Sequence, residues 1–502
     1  MAFGGVHPVS TGSPYLDGLF SGQQWLGNTL TYGFAARTSD YDEGYGNGEP
    51  GSNFAAVANP MMEAFRTLVA GPAALTPVAG FSLLTFDEVT PGPGAAKPDI
   101  LIACSSMPAT AYAYYPSPEP YGGDVWFGQT YDFSTPLAGS YAAATALHEF
   151  GHALGLKHPH DSLGPDMAAT VPVDRDFLEY TIMSYRSVQG GSLQGAYTNE
   201  ANGFPQTYMM LDILALQTLY GANFGFRSGD TTYSWNPSTG EATIDGVALG
   251  APAANRVFCT VWDGGGSDTY DFSQYTGALT IDLEPGGATA LPVEQRAQLA
   301  PGIRAAGNVY NALLFQGDTR SLIENALGGW GSDTILGNEA ANGLFGRGGH
   351  DTLGGGEGND RLSGGNGQDR LMGGAGSDWL SGGAGSDLLT GGFEGDIFAF
   401  DARPLRTNRD RIVDFNVRDD TIWLDDAVFK TVSKAHDTAP GRLRKSFFAT
   451  GSTAKDGNDH VIYDKKAGVL FYDPDGTGPD AAVQIATLTR KLKLTAADFW
   501  VF

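Results

Sequence analysis

AAATALHEFGHALGLKHPH, residues Ala142 to His160, holds five chemistry-bearing residues at fixed intervals: His148, Glu149, His152, Gly155 and His158. They fit H-E-x-x-H-x-x-G-x-x-H. The run from Ala142 to Leu156 is rich in Ala and Leu and has no proline, which predicts a helix. Residues four apart on a helix share a face, so His148 and His152 project side by side. Two neutral imidazoles placed this way can chelate one Zn²⁺. Glu149, one position along, points in a neighbouring direction and can serve as a base beside the metal without being a ligand. Gly155 offers the left-handed backbone that ends a helix. The chain then turns back and brings His158 to the same metal. Three histidines leave a coordination position open, as catalytic zinc requires. By average residue usage, a chance match in a chain this long is on the order of one in 10⁴ or rarer.

The extended pattern with a downstream Met-turn is the metzincin signature. A Met-turn sequence follows at Tyr180-Thr181-Ile182-Met183-Ser184-Tyr185. Its M-S-Y form resembles the serralysins, secreted bacterial zinc metalloproteases. The resemblance implies that Met183 lies beneath the metal, and that Tyr185 can ligate zinc or hydrogen-bond the transition state. It implies a mixed five-stranded twisted sheet with long helices. It also implies that the strand at Gly123-Asp124-Val125-Trp126-Phe127-Gly128 is the sheet edge above the zinc helix. An exposed edge pairs with an extended peptide through main-chain hydrogen bonds, so Gly123, Val125, Trp126 and Phe127 are the expected substrate-binding strand.

Further strands are expected at Leu30–Phe34, Phe81–Phe86 and Ile100–Cys104, and helices at Ala55–Val69 and Tyr208–Tyr220.

The chain has 502 residues, 42% of them hydrophobic, and a formal net charge of −26. The acidic excess argues against nucleic-acid binding, which needs a basic footprint. Cys104 and Cys259 are the two cysteines. Both sit in apolar runs and are expected to be free thiols. The N-terminus, MAFGGVHPVSTGS, lacks the basic and apolar regions of a secretory signal peptide. No apolar run is long enough for a membrane span, and His7 is expected to be solvent-exposed.

The 71 glycines gather in one region. From Gly328 a nine-residue period runs GGWGSDTIL, GNEAANGLF, GRGGHDTLG, GGEGNDRLS, GGNGQDRLM, GGAGSDWLS, GGAGSDLLT, GGFEGDIFA. This is the G-G-x-G-x-D-x-U-x repeat of calcium-binding RTX proteins. Asp333, Asp351, Asp360, Asp369, Asp378 and Asp387 supply hard carboxylate oxygens suited to Ca²⁺. Ile335, Leu344, Leu353, Leu362, Leu371, Leu380, Leu389 and Phe398 occupy the apolar position and should point inward. The second repeat has Asn342 in place of Asp, and the last reads E-G-D, so those sites should be weaker or absent. Upstream, VWDGGGSDTYDF (Val261–Phe272) and SLIENALGG (Ser321–Gly329) resemble further calcium segments of the family. Carried over, Asp263, Gly265, Gly266, Asp268 and Glu324 are ligands, although Leu322 stands where the family has Thr.

The expected organisation is a flexible leader at 1–15, which the resemblance makes a short propeptide, and a zinc metalloprotease domain at 16–222. A calcium-binding RTX parallel β-roll region follows at 223–400, then a C-terminal β-rich cap at 401–502. The fold class is thus an α+β metzincin domain followed by an all-β parallel β-roll and a C-terminal β-sandwich. The chain ends Asp498-Phe499-Trp500-Val501-Phe502, which looks like the uncleaved signal of type I secretion substrates. The resemblance implies one catalytic zinc, several structural calcium ions and an extracellular monomeric endopeptidase. Its partners would be protein or peptide substrates, the type I secretion machinery and a periplasmic proteinaceous inhibitor. The competing class is an RTX surface-layer or adhesive protein with a vestigial protease domain. The intact Glu149 argues against it, and no G-x-S-x-G elbow supports an RTX lipase.

Overall fold

A computed structural model describes residues 3–6, 10–71, 74–92, 96–163, 169–432 and 440–502; His7 lies outside them. The chain forms two compact units, one of 1–266 with 285–321, the other of 267–284 with 322–502. The first unit thus takes in 223–266 and 285–321, which the change in composition groups with the repeats.

The first unit is built on strands β1 (Thr29–Phe34), β2 (Thr85–Glu88), β3 (Ile100–Cys104), β4 (Ala111–Ala113) and β5 (Val125–Phe127). Its helices are α1 (Asn59–Ala70), α2 (Tyr141–Ala153) and α3 (Met210–Tyr220), besides shorter turns. The sheet runs β2-β1-β3-β5-β4. Three pairings are parallel and the last, β5 with β4, is antiparallel. Helix α1 starts at Asn59, later than its apolar pattern suggests, because Pro60 takes the first turn, where a missing N–H is harmless. Phe81 closes a short helix, Val78–Phe81, and is not the start of a strand. The rings of Phe65 on α1, Phe127 on β5 and Phe150 on α2 meet edge to face and fasten both helices to the sheet.

The expected edge strand is not the edge. Val125–Phe127 is paired on both sides, with β3 and with β4, and all three side chains are 0% exposed. Continuous burial is the mark of an interior strand. Gly123 precedes it, with Trp25 and Ile100 packed against its α-carbon. The outer position belongs to Ala111–Ala113, a three-residue strand inside a Tyr- and Pro-rich stretch that reads as loop.

In the second unit two sheets run side by side along the repeats. One strand series is Thr269–Asp271, Asn325–Leu327, Gly343–Gly348, Arg361–Gly367, Trp379–Gly385, Ile397–Phe400, Thr421–Leu424 and Phe499–Val501. The other begins Thr280–Asp282, Thr334–Leu336, Thr352–Glu357, Arg370–Ala375, Leu388–Phe393, Asp410–Ile412. Leu344 pairs with Leu362 and Leu362 with Leu380, while Leu353 pairs with Leu371 and Leu371 with Leu389. Two nine-residue repeats therefore make one turn, and every apolar position from Ile335 to Phe398 is fully buried. Gly367 shows why the repeats need glycine: its φ is 154°, and a Cβ there would lie 1.5 Å from the Gly349 carbonyl oxygen. Both sheets continue into the last hundred residues, where Ile422, Phe499, Ile462 and Leu470 are buried. Among the described residues no helix is long and apolar enough to cross a membrane.

Candidate metal centre

Ser140 caps α2, its hydroxyl accepting from the Ala143 N–H (3.2 Å). At the other end the Gly155 N–H donates to the His152 carbonyl (2.9 Å) and the Leu156 N–H to the Gly151 carbonyl (2.9 Å). This is a Schellman closure with Gly155 at φ 103°. The turn aims the chain back toward its own helix, and His158 meets the two helical histidines.

The Nε2 atoms of His152 and His158 are 3.0 Å apart, and those of His158 and His148 3.1 Å. Each ring is held from behind through Nδ1. His148 donates to the Ile182 carbonyl (2.9 Å), His152 to the Leu156 carbonyl (2.7 Å), and His158 faces the Asp161 carboxylate (2.7 Å). A carbonyl can meet only a donor, so Nδ1 carries the proton of His148 and His152, and their Nε2 lone pairs face the common point. Burial pushes His148 down to about 4 and His158 to about 2, with His148 the next cause for His158; His152 is driven well below its ordinary value, first by burial. Neutral imidazoles with converging lone pairs fit a soft-to-borderline divalent cation such as Zn²⁺.

Glu149 is buried beside them, and its Oε2 has no hydrogen-bond partner. Burial lifts its carboxyl to about 8, opposed by a backbone hydrogen bond from Ala113 on the edge strand. A carboxylate with one free oxygen therefore stands where β4 passes the three histidines. Tyr185 is 42% exposed, its ring centroid 4.3 Å from that of His158 and 5.6 Å from that of His148. A cavity of about 620 Å³ opens beside His148 and Glu149, walled by Tyr131, Tyr141, Tyr197, Phe204, Leu178 and Thr145.

Met183 is fully buried under this centre. A Cβ on Gly151 would stand 2.6 Å from its Sδ, so the helix can lie on the Met-turn only because residue 151 has no side chain. Asp212 on α3 accepts from the Thr181 hydroxyl (2.5 Å), the Ile182 N–H (2.8 Å) and the Met209 N–H (3.0 Å). It thereby fixes Ile182, the residue whose carbonyl orients His148. Gly151, Asp212, Asp161 and Tyr115, whose ring is 5.5 Å from His152, were not among the residues expected from the motif. Asp212 had a readable signal: it is a lone acid in YMMLDILALQTLY, a helix apolar on every side.

In the second unit the repeat aspartates line up. The Asp333 N–H donates to Asp351 Oδ1, Asp351 to Asp369 and Asp369 to Asp387, each at 2.8 Å. Asn342, Asp360 and Asp378 form the matching row with Asp360, Asp378 and Asp396 as acceptors. The Oδ2 atoms of Asp351, Asp360, Asp369, Asp378 and Asp387 are buried without a partner. Burial raises these carboxyls; with neighbouring aspartates as a lesser cause, Asp351 and Asp360 are pushed to about 7 and Asp369 to about 6. Buried, orphaned, hard oxygens fit a hard cation. Asp333 differs, since Leu279 and Gly329 N–H groups occupy both of its oxygens. Of the upstream candidates, Asp263, Gly265 and Gly266 lie in the first unit, where Asp263 accepts from Tyr233 (2.6 Å) and Gly265 (3.0 Å). Asp268 and Glu324 lie in the second, joined by the Asp268 N–H donating to Glu324 (2.7 Å).

Residues 222–438 match the family model described as Peptidase M10 serralysin C terminal. The chain is 35% identical over 241 residues to Metallopeptidase AprA of Pseudomonas marginalis, covering 47% of this chain and 46% of that protein. It is 37% identical over 246 residues to Serralysin of Proteus mirabilis, covering 47% and 44%. To Serralysin B of Dickeya chrysanthemi it is 34% identical over 297 residues, covering 53% and 54%. The chain thus spans about half the length of the curated relatives it matches.

Proposed function

We propose that this relative of the serralysins is a zinc-dependent endopeptidase whose second unit folds around calcium. The observation that carries the reading is the convergence of His148 Nε2 (3.1 Å) and His152 Nε2 (3.0 Å) on His158 Nε2, beside a buried carboxylate with a free oxygen. His148, His152 and His158 would hold the zinc. When bound, it supplies Lewis acidity that activates water near neutral pH and polarises the scissile carbonyl.

The chain's own groups do the rest. A substrate peptide adds to the free edge of Ala111–Ala113 by main-chain hydrogen bonds. This strand takes the role that the resemblance gives to 123–127. One side chain enters the aromatic cavity beside Glu149. Glu149 takes the proton of the attacking water and hands it to the leaving amine; its raised affinity for protons suits both halves of that task. The Tyr185 phenol donates to the oxyanion as it forms.

The paired carboxylate rows of the repeats support the calcium part. At low calcium the crowded aspartates disfavour the roll, and at millimolar calcium binding free energy becomes folding free energy. That suits a chain exported unfolded by a type I system and active outside the cell.

The deciding experiment is Glu149→Gln. Zinc content by atomic absorption should stay at the wild-type level while casein cleavage falls by about 10²–10⁴-fold. Undiminished cleavage would refute the assignment, as would wild-type cleavage that survives 1,10-phenanthroline.

A further inference from the structure

We propose that Lys157 is a positioning residue for the third metal ligand, His158; the inference rests on the zinc reading above. His148 and His152 stand on a helix, which fixes them. His158 lies beyond the end of α2 at Ala153, so its place must come from tertiary bonds. Lys157 supplies them. It is 0% exposed, and its ammonium donates to the carbonyls of Gly18 (2.5 Å), Asp161 (2.8 Å) and Ala169 (3.0 Å). An ammonium has three protons, and these three bonds reach three segments, with the His158 carbonyl a longer fourth contact (3.4 Å).

The same residue's N–H donates to the Leu19 carbonyl (2.7 Å), and the Ser21 N–H donates to the Gly155 carbonyl (3.0 Å). Phe20 and Leu156 complete an antiparallel bridge. Residues 18–21 thus back the ligand loop, and the lysine ties them to its far side. The bond to Asp161 matters most, because the Asp161 carboxylate is what His158 Nδ1 meets at 2.7 Å. Holding the Asp161 main chain holds the carboxylate that orients the ring. A buried ammonium is expensive to desolvate, and a leucine or methionine would fill the space at less cost. Its presence here is explained by the geometry that three directed bonds impose.

The test is Lys157→Met in the full chain, read by zinc affinity in competition with a chromophoric chelator and by the visible spectrum of the cobalt-substituted chain. Loss of a residue that orients a ligand should raise the zinc Kd about 10–100-fold and alter the cobalt spectrum. Hydrogen exchange of α2 in the metal-free chain should change little. A Kd within twofold of wild type with an unaltered cobalt spectrum overturns the proposal. So does lost metal-free protection with unchanged affinity, the signature of a structural role alone. If Lys157→Met does not fold, Lys157→Gln, which keeps an amide donor, should give an intermediate Kd, and an unchanged Kd again overturns the idea. Wild-type chain that binds zinc no better than His148→Ala would overturn the metal site itself and this proposal with it.

Discussion

Replacing Gly151 by alanine sets two effects of known sign against each other. Alanine is the better helix former by about 1 kcal/mol, and Gly151 lies inside α2. Opposing this, the new Cβ would lie 2.6 Å from Met183 Sδ and 3.3 Å from its Cε. Non-bonded heavy atoms rest about 3.5–4.0 Å apart, so the sulfur must retreat by about 1 Å from a site where Met183 has no exposure. Overpacking of this kind costs about 1–3 kcal/mol, so the net change is a loss of about 0–2 kcal/mol. The two terms separate in a Met183→Ala background, where the clash is gone and Gly151→Ala should stabilise α2 by about 1 kcal/mol. The coupling between the two positions is therefore about 1–3 kcal/mol. Because a chain of two units need not unfold in one step, the readout is hydrogen exchange of the α2 peptide in the metal-free chain. Equal gains in protection in both backgrounds would show that the helix does not rest on the methionine, and the account of the Met-turn would fail.

Under the proposed role of its phenol at the oxyanion, Tyr185→Phe should lower kcat with casein-derived peptides more than it alters KM; an unchanged kcat counts against that role. Burial lifts Asp212 from 3.8 to about 7, so the folded chain keeps a proton that the unfolded chain releases. That contribution is whole below about pH 4 and lost as pH rises toward 7, about 4 kcal/mol at most. Asp212→Asn should flatten the fall in Met-turn exchange protection between about pH 4.5 and 7.5 in the metal-free chain, and a slope equal to wild type would exclude Asp212 as its source. Asp369→Asn keeps an oxygen for the Asp351 N–H but turns the orphaned Oδ2 into an amide, so calcium stoichiometry by equilibrium dialysis should drop; Asp42→Asn, at an exposed position, should leave it unchanged, and equal stoichiometry in all three chains would remove Asp369 from the ligands. EGTA should abolish the β signal of the roll in circular dichroism, whereas an unchanged spectrum and melting temperature would dismiss calcium as its organiser.

The histidine cluster was legible because a helix converts spacing into direction. His148, Glu149 and His152 need only the 3.6-residue turn, and Gly155 needs only its left-handed φ. What the helix rests on was not legible. Gly151 is a silent position in the motif, and its meaning appears only when Met183, thirty-two residues on, is seen under it. The edge strand failed for a related reason. Val125–Phe127 has the apolar run of a strand, but whether a strand is outermost depends on a neighbour, and that neighbour is three residues long. Ala111 and Ala113 are small because α2 passes over them, while Tyr112 and Tyr114 turn to the sheet's far side and donate to buried Glu49. Small and aromatic residues in alternation look like loop until both faces are known.

The roll was readable for the opposite reason: its contacts are local and repeated. A residue's partner lies eighteen positions away on every turn, as from Asp333 to Asp351 to Asp369 to Asp387, so one repeat states the rule for all. The same regularity concentrates charge. Asp351, Asp360, Asp369, Asp378 and Asp387 each spend Oδ1 on the turn before and leave Oδ2 in a buried row, and among the described residues no Lys or Arg of the repeats pairs with that row. A cation occupied at 100 times its Kd adds about 2.7 kcal/mol per site, and a domain's whole stability is about 5–15 kcal/mol. A handful of such sites is enough to carry the second unit from unfolded to folded. Under the calcium reading proposed above, calcium concentration can therefore decide when the second unit folds.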